Sequence, residues 1–187
     1  MMGQLDQKVA IVTGSDSGIG RAIAIQFASE GATVIVNYAH AQDKAQEVQQ
    51  TIEKNNGKAM IIQADVSQYQ QVANLVQQTI EHFQRLDIMV NNAGMEIHSP
   101  FLDETEQNFD RVIGVDLKGA FFGAQLAARE MVKRQTAGRI INISSVHEDL
   151  PMPENVPSLH QSGAVTSCQF EPAQLLCFPF SPDQSPH

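Results

Sequence analysis

Three glycines set the first chemical expectation. In TGSDSGIGR (13–21) they stand at Gly14, Gly18 and Gly20. That spacing removes side chains where a backbone must turn tightly, approach an anion and let a helix pack on a strand. The run before it, KVAIVTG (8–14), is short and apolar and reads as a buried strand. The run after it, GIGRAIAIQFASEG (18–31), carries apolar residues at helical spacing and closes on glycine. Strand, glycine turn and helix in that order aim free N–H groups and a partial positive charge at a diphosphate. A purely structural glycine turn is the alternative, and the flanking strand and helix weigh against it. Residues that could move a proton occur elsewhere, with His147, Glu148 and Asp149 in one stretch and Glu96 and His98 in another. Histidine titrates in a useful range, although loop residues of these types are commonly only solvated. No His/Cys cluster has ligand spacing, so no metal is expected.

The elements that must position these residues follow one rhythm. ATVIVNY (32–38), KAMIIQADV (58–66), LDIMVNNAG (86–94) and GRIINISS (138–145) read as further strands. AQDKAQEVQQTIEKNNG (41–57) and SQYQQVANLVQQTIEHF (67–83) read as helices, with Ser67 as candidate N-cap of the second. The stretch from Thr105 to Gln135 reads as one long helix, weakly interrupted by Gly114, Gly119 and Gly123. Apolar strands alternating with helical crossovers imply an α/β fold, a doubly wound parallel sheet covered on both faces (Rossmann-like).

Composition bounds the rest. A chain of 187 residues, 42% hydrophobic, suits one domain with a sizeable core. A net charge of −9 argues against a nucleic-acid partner, whose phosphates it would repel. Two cysteines, Cys168 and Cys177, make no disulfide framework. No stretch approaches the ~18 apolar residues of a membrane span, and no basic leader opens the chain, so a cytoplasmic protein without a membrane partner is expected. Composition changes near position 150. All 12 Lys and Arg lie before it, the last being Arg139, and seven of the eight prolines lie after it. We read 1–150 as a dinucleotide-binding unit and 151–187 as an irregular, Pro-rich tail, since that proline spacing breaks helices and central strands.

Three runs together resemble one family. TGSDSGIG resembles the cofactor loop of the short-chain dehydrogenase/reductase family. NNAG (91–94) resembles its second signature, and GRIINISSVHE (138–148) the strand carrying its catalytic serine. The likeness spans about residues 5–157, and SSVHEDLPMP (144–153) is further similar to that family's glucose 1-dehydrogenase branch. The resemblance implies an NAD(P)-dependent oxidoreductase moving hydride between nicotinamide and an alcohol, carbonyl or sugar substrate. It implies that the Gly14–Gly20 loop, with Ser15, Ser17, Gly18 and Ile19, holds the dinucleotide phosphates. Asp65 and Val66 would meet the adenine, and Asn91, Ala93 and Gly94 the ribose and nicotinamide side. Bland alternatives are a helix cap for Asp65 and a turn-forming side chain for Asn91. Asn37 stands where an acidic residue would favour NAD. Neither an acid nor an arginine follows in NYAHAQ (37–42); His40 is the one candidate there for a 2′-phosphate, and the lean is to NAD over NADP.

For the chemistry, the resemblance implies a serine, a tyrosine, a lysine four residues after it and a helix asparagine. Ser145 matches the serine, with a second strand-end hydroxyl as its alternative, and Asp116 replaces the asparagine. Aligning SGAV (162–165) with the family's pattern puts Ser158 in the tyrosine place and Ser162 in the lysine place. The chain's tyrosines are Tyr38 and Tyr69, and its last lysine is Lys133. A cation beside a phenol favours the phenolate, so losing both groups is expected to leave impaired catalysis, or a non-catalytic dinucleotide-binding remnant. Residues 158–187 are expected not to supply the family's remaining helix and strands. That would leave the fifth strand an apolar edge, with the family's homo-oligomeric assembly in doubt. The tail is expected to be truncated or read from a shifted coding frame beginning near Ser158.

Overall fold

The computed structural model describes residues 3–144. Ser145, Ser158, Ser162 and the stretch 147–149 lie outside the described residues, as does the Pro-rich tail. Five strands alternate with helices: β1 Val9–Val12, α1 Gly18–Ser29, β2 Thr33–Tyr38, α2 Gln42–Lys54, β3 Lys58–Gln63, α3 Tyr69–Phe83, β4 Ile88–Asn91, α4 Glu106–Ile113, α5 Ala120–Lys133 and β5 Arg139–Asn142. The sheet order is β3-β2-β1-β4-β5, with every pairing parallel. The chain winds outward from β1 in one direction, then returns to continue beyond it, which makes the fold doubly wound as expected.

Alternation along the central strands explains the two layers of core. Val12, Val34 and Val36 face Ala24 and Ala28 of α1 and Val48 and Ile52 of α2. Their neighbours Ile11, Ile35 and Met89 face Leu75 and Ile80 of α3 and Ala127 and Met131 of α5. A strand covered on both sides must be apolar at both periods, and all four residues of β1 are buried. Each fully buried Ile or Met contributes roughly 1.5–3 kcal/mol, so burial along the central strands is a main source of stability for the described residues. β5 is different: its residues alternate exposed and half-buried, and Ile141 is 39% exposed.

The strand starts are tied together by one buried carboxylate. The Asp87 side chain is 2% exposed and pairs with Arg85 and Lys8. Arg85 donates twice, through Nε at 2.7 Å and a terminal nitrogen at 2.6 Å, and Val9 N–H donates at 2.9 Å. The Asp87 main chain also takes part: its N–H donates to Val9 O, and its carbonyl accepts from Arg139 N–H. β1, β4 and β5 are thus stapled at the end opposite their C-termini. Burial pushes the Asp87 carboxyl up, but hydrogen bonds from Arg85 and Val9 and the Arg85 and Lys8 charges outweigh it and hold it below the ordinary value.

Two local expectations need correcting. Ser67 does not cap α3: Gln68 occupies the N-cap, without a side-chain cap bond, and Ser67 N–H instead donates to Asp65 Oδ1 at 2.9 Å. The long fourth helix is not weakly interrupted but rewound. Gly114–Gly119 forms a π turn between α4 and α5, while Gly123 lies inside α5, where a Cβ would meet Asn91 Oδ1 and Met89 Cε. The turn ends on Gly119, where a Cβ would lie 2.9 Å from Val66 Cγ2. Inserted residues of this kind re-aim side chains, and they recur at functional sites. Among the described residues no helix is long and apolar enough to cross a membrane.

Candidate functional site

At the C-terminal ends of the strands lies a cleft of about 1360 Å³. It sits where the order reverses between β1 and β4, the place where open α/β sheets bind ligands. Its floor is built by polar residues that directly follow apolar strands. Thr13 follows β1 and is buried. Its hydroxyl accepts from Asn92 N–H at 2.9 Å and from Ala93 N–H at 3.0 Å, and it donates to Val90 O at 3.3 Å. Asn92 answers with its amide, donating to the carbonyls of Thr13 at 2.9 Å and Gly14 at 3.1 Å. The two turns after β1 and β4 therefore hold each other in place.

Asn37 braces the same loop from β2. Its side-chain oxygen accepts from Gly14 N–H at 3.1 Å, and its amide donates to Ala64 O at 3.0 Å and Ile62 O at 3.2 Å. Ser15 is fully buried. It donates through Oγ to Val12 O at 2.7 Å and accepts from Asn37 N–H at 3.1 Å. Both side chains are committed to shaping the loop. Gly14 has φ +57°, and a Cβ there would stand 2.9 Å from Ala93 Cα, so only glycine fits. A Cβ on Gly20 would land on Asn92 Nδ2 and the Gly14 carbonyl, which is why α1 can sit so close to the turn.

The mouth of α1 is open. Ser17 is its N-cap residue but makes no side-chain cap bond, and a Cβ at Gly18 would meet nothing within 4 Å. Free N–H groups at a helix start, facing empty space, are a diphosphate-sized receptor for negative charge. The residues present therefore fit a dinucleotide.

Of the expected coenzyme residues, Gly14, Ser17, Ile19, Asn37, Asp65, Val66, Ala93 and Gly94 line the cleft. Ile19 is 64% exposed there. Ser15, Gly18, Gly20 and Asn91 are not part of the lining; Ser15, Gly18 and Gly20 form the loop behind it. Asn91 is buried and donates from its amide to Asn142 Oδ1 at 2.7 Å, linking β4 to β5. Asp65 takes Ser67 N–H in a local turn and donates its own N–H to Gln71 Oε1 at 2.8 Å. Asp116, on the π turn, reaches the loop after β4: its Oδ1 accepts from Met95 N–H at 2.8 Å. Glu96 and His98 face each other at 3.8 Å, both well exposed, and neither lines the cleft. Sequence reading missed Thr13 and Asn92 as builders of the floor. The signal was present: each is a polar residue at the point where an apolar strand gives way to a glycine-bearing turn. Among the described residues no group of three or more His, Cys, Asp or Glu converges on a metal-sized point.

Comparison with known proteins places this geometry. A family profile described as short chain dehydrogenase matches residues 8–157. Glucose 1-dehydrogenase 2 of Bacillus subtilis (strain 168) is 40% identical over 166 residues, covering 88% of this chain and 64% of that protein. The chain thus spans just under two thirds of that relative's length. Among solved structures, acetoin dehydrogenase from Enterobacter cloacae superposes with a TM-score of 0.85 at 38% identity, covering 91% of this chain and 68% of that one. A short chain dehydrogenase from Burkholderia cenocepacia J2315 in complex with NADP superposes with a TM-score of 0.87 at 32% identity, covering 93% and 70%.

Proposed function

Since the chain belongs to the short-chain dehydrogenase family, an NAD(P)-binding oxidoreductase family, we propose that it seats a nicotinamide dinucleotide in this cleft and carries out hydride transfer poorly. The observation that carries the first half is the uncapped α1 N-terminus opening onto free space beside a loop locked by Thr13, Asn37 and Asn92. The coenzyme supplies the hydride chemistry when bound. The chain's own part is to hold the diphosphate at Gly14–Gly20 and to receive the two nucleosides on either side of β1. In this reading Asp65 and Val66 serve the adenosine side, and Ala93 and Gly94 the nicotinamide side.

The second half rests on what the sequence provides for the proton. Alcohol oxidation must pass a proton from the hydroxyl to a base, and a positioned acid/base contributes typically 10²–10⁴-fold. In this reading Ser145 binds the substrate oxygen, while Ser158 and Ser162 take the sequence places of the family's tyrosine and lysine. A serine hydroxyl does not ionise at neutral pH, so proton transfer is left to solvent. A sugar or other secondary alcohol is the substrate class proposed, supported by the likeness to the Bacillus glucose 1-dehydrogenase, and the cytoplasm is the compartment. NAD is proposed over NADP. The turn after β2 carries Ala39 and His40 but no arginine, and the Asn37 amide is held by main-chain groups.

A non-catalytic dinucleotide-binding module is the second reading, favoured by the same two serines. Titration with NADH and NADPH, followed by coenzyme fluorescence, tests the seat. Saturable binding with NADH the tighter is expected, and binding of neither coenzyme contradicts the proposal. Detectable but slow glucose oxidation then separates the impaired enzyme from the silent module.

A further inference from the structure

Asp16 sits in the glycine loop, where a carboxylate opposes the diphosphate that the loop is shaped to take. We infer that Asp16 makes the cleft favour NADH over NADPH, standing in for the acid that is absent from the end of β2; this rests on the coenzyme assignment above. In doubly wound sheets an acid at that strand end accepts from the adenosine 2′-hydroxyl, and an arginine nearby accommodates a 2′-phosphate. Asn37 fills the place here. It is buried, and its side chain is committed to Gly14 N–H and to the carbonyls of Ile62 and Ala64. The ribose must be read by another residue.

The loop brings Asp16 to the same end of the cleft. Ser15 N–H donates to Asn37 O at 2.9 Å, and Ser15 Oγ accepts from Asn37 N–H at 3.1 Å. Residue 15 is thereby tied to the end of β2, and the next residue leaves it beside that strand. Asp16 is half-buried and lines the cleft together with Asn37, Ala39 and His40. Among the described residues no hydrogen bond or ion pair engages its carboxylate. Asp65 also lines the cleft, but its Oδ1 already accepts from Ser67 N–H at 2.9 Å. A carboxylate beside the ribose has two effects of opposite sign. It accepts from a ribose hydroxyl, a charge-assisted bond roughly twice as strong as a neutral one. It repels a 2′-phosphate, which carries about −1.5 to −2 at neutral pH. Its repulsion of the diphosphate is common to both coenzymes and cancels from their ratio. His40 would favour the 2′-phosphate and is unchanged by substitution at 16.

The test is calorimetric titration of the full chain with NADH and with NADPH, for the native protein, Asp16→Asn, Asp16→Ser and Asp16→Glu. Loss of a unit charge within about 10 Å of the 2′-phosphate, together with a weaker bond to the ribose, predicts that the ratio Kd(NADPH)/Kd(NADH) falls about five- to fiftyfold in Asp16→Asn. Both parts should show: NADH binds more weakly and NADPH more tightly. Asp16→Ser, which removes the charge with a different shape, must move the ratio the same way, and Asp16→Glu, which keeps the charge, must hold it well above that of Asp16→Asn. Thermal melting checks that the variants fold. A carboxylate that serves only the start of α1 would shift both Kd values together. A native chain that prefers NADH, with the ratio unmoved in Asp16→Asn and Asp16→Ser, therefore overturns the role of Asp16 and leaves the coenzyme assignment standing. Failure of the native chain to bind either coenzyme brings down the assignment and the inference together.

Discussion

A few polar side chains next to apolar strands decide whether the site exists. Thr13 is the clearest, because one hydroxyl oxygen receives two backbone N–H groups. Thr13→Val keeps the shape and leaves both donors without their acceptor, a loss of about 2 kcal/mol or more. Urea unfolding should show that loss, and NADH titration should show weakened binding; an unchanged midpoint would mean that the hydroxyl does not hold the turns. Gly20→Ala acts sterically, pressing on Asn92 and the Gly14 carbonyl. It is expected to reduce coenzyme affinity at least about tenfold, equivalent to about 1.4 kcal/mol, and full affinity in this variant would contradict the tight approach of α1. The glycines themselves were legible in the sequence, since their chemistry is local. The roles of Asn37 and Ser15 were not. A sequence cannot say whether a polar side chain at a strand end points to a ligand or back to the main chain, and here both point back.

At the scale of elements, the alternation of strands and helices was readable because each central strand is apolar on both faces. The π turn was not, because glycines at 114, 119 and 123 look alike in the sequence. Gly119 and Gly123 are both tightly enclosed, the first by Val66 and the second by Asn91 and Met89, so close packing alone does not mark where the helix rewinds. The staple at the strand starts gives a prediction in pH. Asp87 is held below its ordinary carboxyl value in the folded state. Its contribution to stability is therefore complete above the unfolded value of about 4 and is lost as pH falls through and below it. Asp87→Asn should destabilise the chain by about 1–2 kcal/mol near neutral pH. That figure is modest because Arg85 and Lys8 are 40% and 43% exposed and screened by water. The variant should also show a shallower loss of stability between about pH 5 and pH 3 than the native protein. Parallel pH profiles from thermal melting would contradict the role given to this carboxylate.

Across the whole molecule, two kinds of sequence are joined. The first 150 residues carry every lysine and arginine, and the described part of them, residues 3–144, forms a two-layer core with a cleft at the strand ends. The remainder carries seven of eight prolines and neither tyrosine nor lysine. The fold and the glycine turn between β1 and α1 were legible because they depend on short-range periodicity and glycine spacing. The proton-handling part was legible only as missing residue types, which is a statement about chemistry and not about geometry. The measurement that bears most directly on the account is a paired one on the 187-residue chain: NADH binding by fluorescence, then NAD⁺-dependent oxidation of glucose in the same preparation. Saturable binding with turnover at least about a hundredfold below the ~10 s⁻¹ typical of enzymes is the predicted result. Turnover at that ordinary rate would contradict it.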